Sequence, residues 1–400
     1  MYDIAMANPD MDKGEDSMTL RETAARLCQP GKGILASDES PSTMGKRLVK
    51  AGKDNTAENR RQYRSLFYGA ALGDSISGAI LHPEALDMQL DEGVSFVEAL
   101  SARGILVGVK VDEGLQPLEG GYEGETSTKG LETLGVRLEE YRTKGATFAK
   151  WRAAFRICKL PDEGDGVHYS VSDVALKTNA EQLASYALQC QIHNIVPIVE
   201  PEILIDGDHD SGTCSRITKL VLVECVRALI RHDVHLGSIL LKPQMVVPGV
   251  ENVDNVDGGV PEVGGVGGIG RDRDPTVVAE RTLEAIRETV PPAVQGIMFL
   301  SGGQTEYQST INLNTLNVIA RACPEFRVPY ALSFSFGRGL QASVLDMWSR
   351  GESKEACMKK AEEIARVNGL ATRGAYVAEG GHPTVLAKGG NLQETFRGVY

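Results

Sequence analysis

The chain has 400 residues, 42% of them hydrophobic, enough for a large core in one big α/β domain or two ordinary ones. Its 42 basic and 54 acidic residues leave a net charge of −12, which disfavours nucleic acid or an anionic membrane as the main partner; any anion site must be locally basic. Seven cysteines without a CxxC pair speak against a disulfide scaffold, and no apolar run approaches the ~20 residues needed to span a bilayer. The opening "MYDIAMANPDMDKGEDSM" is acidic and has no apolar h-region or Arg-rich pattern, so a cytoplasmic protein is expected, with a mature plastid form as the alternative.

Short apolar runs recur along the chain: "GILASDES", "SGAILHPE", "ILVGVKVD", "TFAKWRAAF", "IVPIVEPEI", "GSILLKPQM", "GIMFLSGGQ" and "YALSFSFGR". Between them, apolar residues at three- and four-residue spacing predict helices over 56–72, 92–102, 130–143, 178–193, 214–232, 275–289, 310–321 and 352–368. Eight β-then-α units predict an α/β fold of the (β/α)8 barrel type, whose parallel strands are covered by helices and read as continuous apolar runs. A doubly wound open sheet is the structural alternative. No composition break marks a second domain, so residues 1–400 read as one barrel domain with a flexible segment 1–18, a Gly-rich loop 250–274 and a mobile tail 388–400. Within that loop, Gly265 to Gly270 match G-x-G-x-x-G. They lie far past the nearest strand and are cut off from the next helix by "RDRDP", so a flexible loop is the reading and no dinucleotide cofactor is inferred.

In such a barrel the active site lies at the carboxyl ends of the strands. Charged residues recur there: Asp38 after the first strand, Lys110 in the third, Lys150 in the fourth, Glu200 in the fifth and Lys242 in the sixth. Each alone reads equally well as a paired strand terminus. Together they would project into one mouth, where three crowded ammonium groups are expected to depress at least one lysine and make it a nucleophile toward a carbonyl. "FLSGGQ" and "SFSFGRG" end the last two strands in small residues. There Ser301, Gly302, Gly303, Ser335 and Arg338 can surround a phosphate. Lys46 and Arg47 in "STMGKRL" supply a second basic group near the same rim, or only a solvated helix start. Two anion sites around an amine imply a bis-phosphorylated carbonyl substrate.

The motifs "GKGILASDES", "ISGAIL", "VGVKVD", "FAKWR", "IVPIVEPEILIDGDHD", "LLKPQMV", "TVPPAVQGIMFLSGGQ" and "ALSFSFGRGLQAS" occur in this order from about Pro30 onward, and in them the chain resembles class I fructose-bisphosphate aldolase. The resemblance implies reversible cleavage of fructose 1,6-bisphosphate to dihydroxyacetone phosphate and glyceraldehyde 3-phosphate, with no metal or other cofactor. It casts Lys242 as the Schiff-base lysine, Glu200 as proton acceptor and donor in carbinolamine dehydration, and Asp38 as the group at the C4 hydroxyl. Lys150 and Lys110 would position substrate and assist proton transfer. One phosphate would lie among Ser301, Gly302, Gly303, Ser335 and Arg338, the other toward Ser40, Thr43, Lys46 and Arg47, and the terminal Tyr400 would swing in at the carbanion stage. Homotetramer assembly and cytoskeletal partners are implied on the same basis. Thr43 stands where serine is common, and the loops at 160–170 and 250–274 are longer than the family pattern. Another Schiff-base lyase, acting for instance on sedoheptulose 1,7-bisphosphate, is the runner-up, and a scaffold-only role is disfavoured by the intact chemistry. A metal-dependent aldolase needs clustered histidines. Only His232 and His235 are closely spaced, before the sixth strand, where a structural role is expected.

Overall fold

The computed structural model describes residues 18–161, 166–252 and 271–377. Twelve strands are formed: β1 (Gly33–Ser37), β2 (Ile76–Leu81), β3 (Leu106–Lys110), β4 (Leu115–Pro117), β5 (Thr126–Thr128), β6 (Phe148–Phe155), β7 (Cys158–Pro161), β8 (Val167–Ser170), β9 (Val196–Ile203), β10 (Leu240–Leu241), β11 (Gly296–Phe299) and β12 (Ala331–Phe336). Eight of them, β1, β2, β3, β6, β9, β10, β11 and β12, pair in parallel in chain order, and β12 returns to β1 to close the barrel. This is the (β/α)8 architecture that the eight apolar runs predicted. Closure leaves no sheet edge, so every barrel strand is flanked on both sides.

Eleven helices accompany the strands: α1 (Leu20–Leu27), α2 (Pro41–Lys50), α3 (Ala57–Tyr68), α4 (Phe96–Ser101), α5 (Leu134–Thr143), α6 (Asp173–Ile192), α7 (Ser211–Arg231), α8 (Pro275–Thr289), α9 (Glu306–Ala322), α10 (Arg338–Ser349) and α11 (Lys354–Ala371). Their starts follow local capping chemistry. Ser95 caps α4 in a box with Glu98, so the helix begins after the turn at Gly93 (φ +82°) rather than at residue 92. Thr305 and Gln308 form the same box at α9 and start it before residue 310, while Ser172 opens α6 before residue 178. Helices α1, α2 and α10 lie outside the segments that periodicity predicted. The expanded stretch 160–170 supplies most of an antiparallel hairpin, β7 with β8, beyond the barrel rim. Of the Gly-rich loop, residues 253–270 lie outside the described residues, as do segment 1–17 and the tail from 378 onward. The near side of that loop is tied down, because Val250 N–H donates to Ile205 and Arg273 donates to the Gly249 carbonyl.

The amino-terminal end of the barrel is plugged. Leu20, Ala24 and Leu27 of α1 pack on Ile34, Ile80, Leu106, Phe148, Val196, Ile198, Leu240 and Met298, an apolar floor drawn from seven of the barrel strands. Phe148 fits only because its neighbours are glycines: a Cβ on Gly108 would sit 2.2 Å from its ring, and one on Gly78 would sit 3.0 Å away. Overpacking a closed barrel is costly because the surrounding strands cannot part. Gly108→Ala is therefore expected to destabilise the fold by about 1–3 kcal/mol. The check is a lower urea midpoint at unchanged m-value, partly recovered in Gly108→Ala/Phe148→Leu.

Candidate active site

With the floor sealed, the carboxyl ends of the strands form the open mouth. A cleft of about 270 Å³ lies there, lined by Asp38, Arg47, Lys110, Lys150, Glu200, Lys242, Ser301, Gly302, Ser335 and Arg338 of the expected residues. Strand alternation explains the convergence. Inward positions step along each strand from the apolar floor to charge: Ile34, Ala36, Asp38 from β1; Phe148, Lys150 in β6; Ile198, Glu200 in β9; Leu240, Lys242 from β10.

At the centre, Lys150 Nζ lies 2.8 Å from Asp38 Oδ2, 3.0 Å from Glu200 Oε2 and 4.0 Å from Asp112 Oδ2. Lys242 Nζ lies 2.9 Å from Glu200 Oε1, so Glu200 bridges two ammonium groups. Lys110 Nζ pairs with Asp112 Oδ1 at 2.5 Å. Lys150, Glu200 and Lys242 are all buried. The expected crowding of positive charge is thus corrected by the carboxylates interleaved with it. Burial by itself would lower Lys150, but Asp38, Glu200 and Asp112 outweigh it and raise its pKa well above the ordinary lysine range. Burial likewise works to raise Asp38 and Glu200, yet Lys150 and Lys242 prevail and hold both below the usual carboxylate range. All three groups are therefore ionised near neutral pH.

The other wall is built for an anion. The Ser335 hydroxyl is buried and has no hydrogen-bond partner among the described residues. Ser301 Oγ accepts from Gly339 N–H at 3.2 Å, tying the loop after β11 to the start of α10. Gly337 occupies the N-cap of α10, which has no side-chain cap, and it lines the cleft beside Arg338, so the positive end of this helix lies at the cleft. Gly303 has φ +73°, and a Cβ there would lie 2.3 Å from Ile205 Cδ1, so only glycine fits this turn.

Other expected residues are placed differently. Ser40 Oγ accepts from Thr43 N–H as the cap of α2; neither residue lines the cleft. Lys46 is exposed, Gly303 lies behind Gly302, and Tyr400 falls outside the described residues. Arg47 does reach the rim, paired with Glu39 Oε1 at 2.5 Å, and Gln341 Nε2 donates to the same oxygen at 3.1 Å. His232 and His235 bond Glu181 and Ser238, away from the mouth, so they serve the structure. The sequence reading missed Asp112, Arg152, Glu202 and Glu39. Arg152 pairs with Glu202 in the cleft wall. Three of these four stand two residues after an expected one, so the period-two rule would have found them.

The family model for class I fructose-bisphosphate aldolase matches residues 19–389. Fructose-bisphosphate aldolase C of Carassius auratus is 43% identical over 370 residues, 92% of this chain and 93% of its own, and the Homo sapiens aldolase C is 44% identical over the same shares. A solved fructose-bisphosphate aldolase from Plasmodium falciparum, crystallised with TRAP and a small-molecule inhibitor, is 40% identical with a TM-score of 0.79, over 90% of this chain and 95% of that one. A near-complete family match, these relatives and a barrel mouth of buried lysines and carboxylates agree: the chain belongs to the class I fructose-bisphosphate aldolase family.

Proposed function

We propose that Lys242 is the amine through which this class I aldolase cleaves fructose 1,6-bisphosphate, reversibly, into dihydroxyacetone phosphate and glyceraldehyde 3-phosphate. The observation that carries the assignment is the 2.9 Å contact between Lys242 Nζ and Glu200 Oε1 at the end of an apolar strand. An ammonium has no lone pair for attack, and Glu200 is the adjacent base that can take its proton. The freed amine adds to the C2 carbonyl. Glu200 then returns the proton to the departing hydroxyl, water leaves, and a protonated imine remains.

Asp38 accepts the C4 hydroxyl proton as the C3–C4 bond breaks, and the bonding electrons flow into the imine to give an enamine. Lys150, 2.8 Å away, keeps Asp38 ionised until that step, so the acceptor is always in its competent form. The phosphate next to the reacting carbonyl sits against Ser301, Gly302, Ser335 and Arg338. The far phosphate reaches toward Arg47, with Lys46 supplying longer-range charge. Tyr400, carried by the tail, hands a proton to the enamine carbon, a step of the lid type. Homotetramer assembly belongs to the same reading, and exposed Leu220 and Val223 on α7 with Ile192 on α6 offer apolar surface for it.

Borohydride trapping with dihydroxyacetone phosphate in the presence of EDTA, followed by peptide mapping, should place the adduct on Lys242. Lys242→Arg should lower turnover on the order of 10⁴-fold or more, because a guanidinium stays protonated. An adduct on Lys150 or Lys110, or activity that chelation removes and zinc restores, would overturn the assignment. Deleting Tyr400 should slow cleavage and detritiation of dihydroxyacetone phosphate while imine formation persists; full turnover, or loss of the imine, contradicts the role given to the tail. Light scattering at micromolar concentration should return the mass of four chains, and a monomer would count against the tetramer.

A further inference from the structure

The larger cavity is not the catalytic one. About 420 Å³ of space, against about 270 Å³ in the cleft, opens at the opposite end of the barrel, beside the start of β12, the residue preceding β1 and the last turns of α9 and α11. Its volume falls in the range of small-molecule sites, roughly 300–1,000 Å³. Three cations line it, Lys32, Arg321 and Arg327, and no aspartate or glutamate among the described residues does. In a chain of net charge −12 that local excess runs against the bulk composition. None of Asp38, Lys110, Lys150, Glu200 and Lys242 lines it, so the pocket stands apart from the catalytic cleft.

The three cations differ in what already holds them. Lys32 Nζ donates to the Gly73 carbonyl at 2.5 Å, and Arg321 donates to the carbonyls of Thr372 and Arg373 after α11. The acceptors are neutral carbonyl oxygens, so among the described residues neither positive charge has a counter-ion. Arg327 is exposed and has neither an ion pair nor a side-chain hydrogen bond among the described residues. Val328, Tyr330 and Leu332 also line the cavity and give it an apolar part; the Tyr330 hydroxyl is bonded to Ile286 O at 3.0 Å. Cys28 also borders the space, but burial pushes its thiol up to about 12, so it supplies no thiolate for covalent capture near neutral pH.

We propose that this pocket at the amino-terminal end of the barrel is a second, non-catalytic binding site for a small organic anion, with the charge held by Lys32, Arg321 and Arg327 and the apolar body against Val328, Tyr330 and Leu332. An anion without an apolar body would leave that wall wet, and an uncharged molecule would leave the cations unanswered; the two halves of the pocket select a molecule that carries both. Because the site lies across the sealed floor from the catalytic mouth, its occupant does not compete with substrate.

The probe is 1-anilinonaphthalene-8-sulfonate, titrated by fluorescence against the full chain, against Arg327→Glu and against Lys32→Gln, each with and without saturating dihydroxyacetone phosphate. Arg327 is a surface residue outside the active site, so aldolase activity of Arg327→Glu serves as the control for folding. Saturable binding at one site per chain, unaffected by dihydroxyacetone phosphate and weakened about tenfold by Arg327→Glu, is the expected result. Inorganic phosphate in place of the probe should bind far more weakly, since it cannot use the apolar wall. Binding that Arg327→Glu and Lys32→Gln both leave unchanged, that dihydroxyacetone phosphate displaces, or that never saturates would overturn the proposal.

Discussion

One buried ammonium sets the terms for the rest of the site. Lys150 sits inside the barrel mouth, and a charge in that position is tolerable only with close counter-charges, which Asp38, Glu200 and Asp112 supply within 4.0 Å. Each of those carboxylates is itself buried or nearly so and needs its lysine in turn. The result is a network in which no member can be removed without stranding another. Truncating one partner of such a buried pair typically costs 3–5 kcal/mol, so loss of activity in variants of Asp38 or Glu200 mixes lost chemistry with a rearranged charge balance. The same balance keeps the carboxylates ionised and in contact with the lysines: Glu200 touches both Lys150 and Lys242, and Asp38 touches Lys150.

Holding that network requires backbone that does not yield, and the sixth barrel strand shows how little ladder is needed. β10 contains only Leu240 and Leu241, yet Lys242 N–H still donates to Val199 O at 2.8 Å. The next residue, Pro243, has no N–H to offer, and its carbonyl accepts from Leu300 N–H at 3.1 Å. The Lys242 backbone is thereby pinned to β9 on one side and, through Pro243, to the end of β11 on the other. A proline here ends the regular ladder just where the side chain must reach into the mouth rather than lie along the sheet.

Much of this was legible from residue order. Eight apolar runs separated by helical periods gave the barrel, because strands covered by helices have no polar face to show. Asp38, Lys150, Glu200 and Lys242 stood out as charges ending those runs, and the structure brings all four into contact. The direction of the lysine perturbation was not legible. Counting ammonium groups along the chain suggested a depressed pKa, whereas Asp38, Glu200 and Asp112 together reverse the sign for Lys150, a property of three-dimensional neighbours. Helix α1 was hidden because eight residues carry too short a period to detect, though its Thr19 and Glu22 capping box is a local signal. Ser40 shows that one hydroxyl can suit two roles: a side chain fit for a phosphate is also fit for a helix cap, and here it accepts from Thr43 N–H at the start of α2.

The apolar floor explains why the charged layer works at all. Ala36, Phe148, Ile198 and Leu240 lie directly beneath Asp38, Lys150, Glu200 and Lys242 along the same inward-facing rows, and α1 packs on this apolar layer from below. Water therefore reaches the charges only from the mouth, and substrate entering there displaces it. As the mouth dries, the attraction between each ammonium and its carboxylate strengthens, and so does the penalty on any charge left unpaired. The packed floor and the charged layer are in this sense one device: the glycines that admit Phe148 at the base help set the dielectric around Lys150, Glu200 and Lys242.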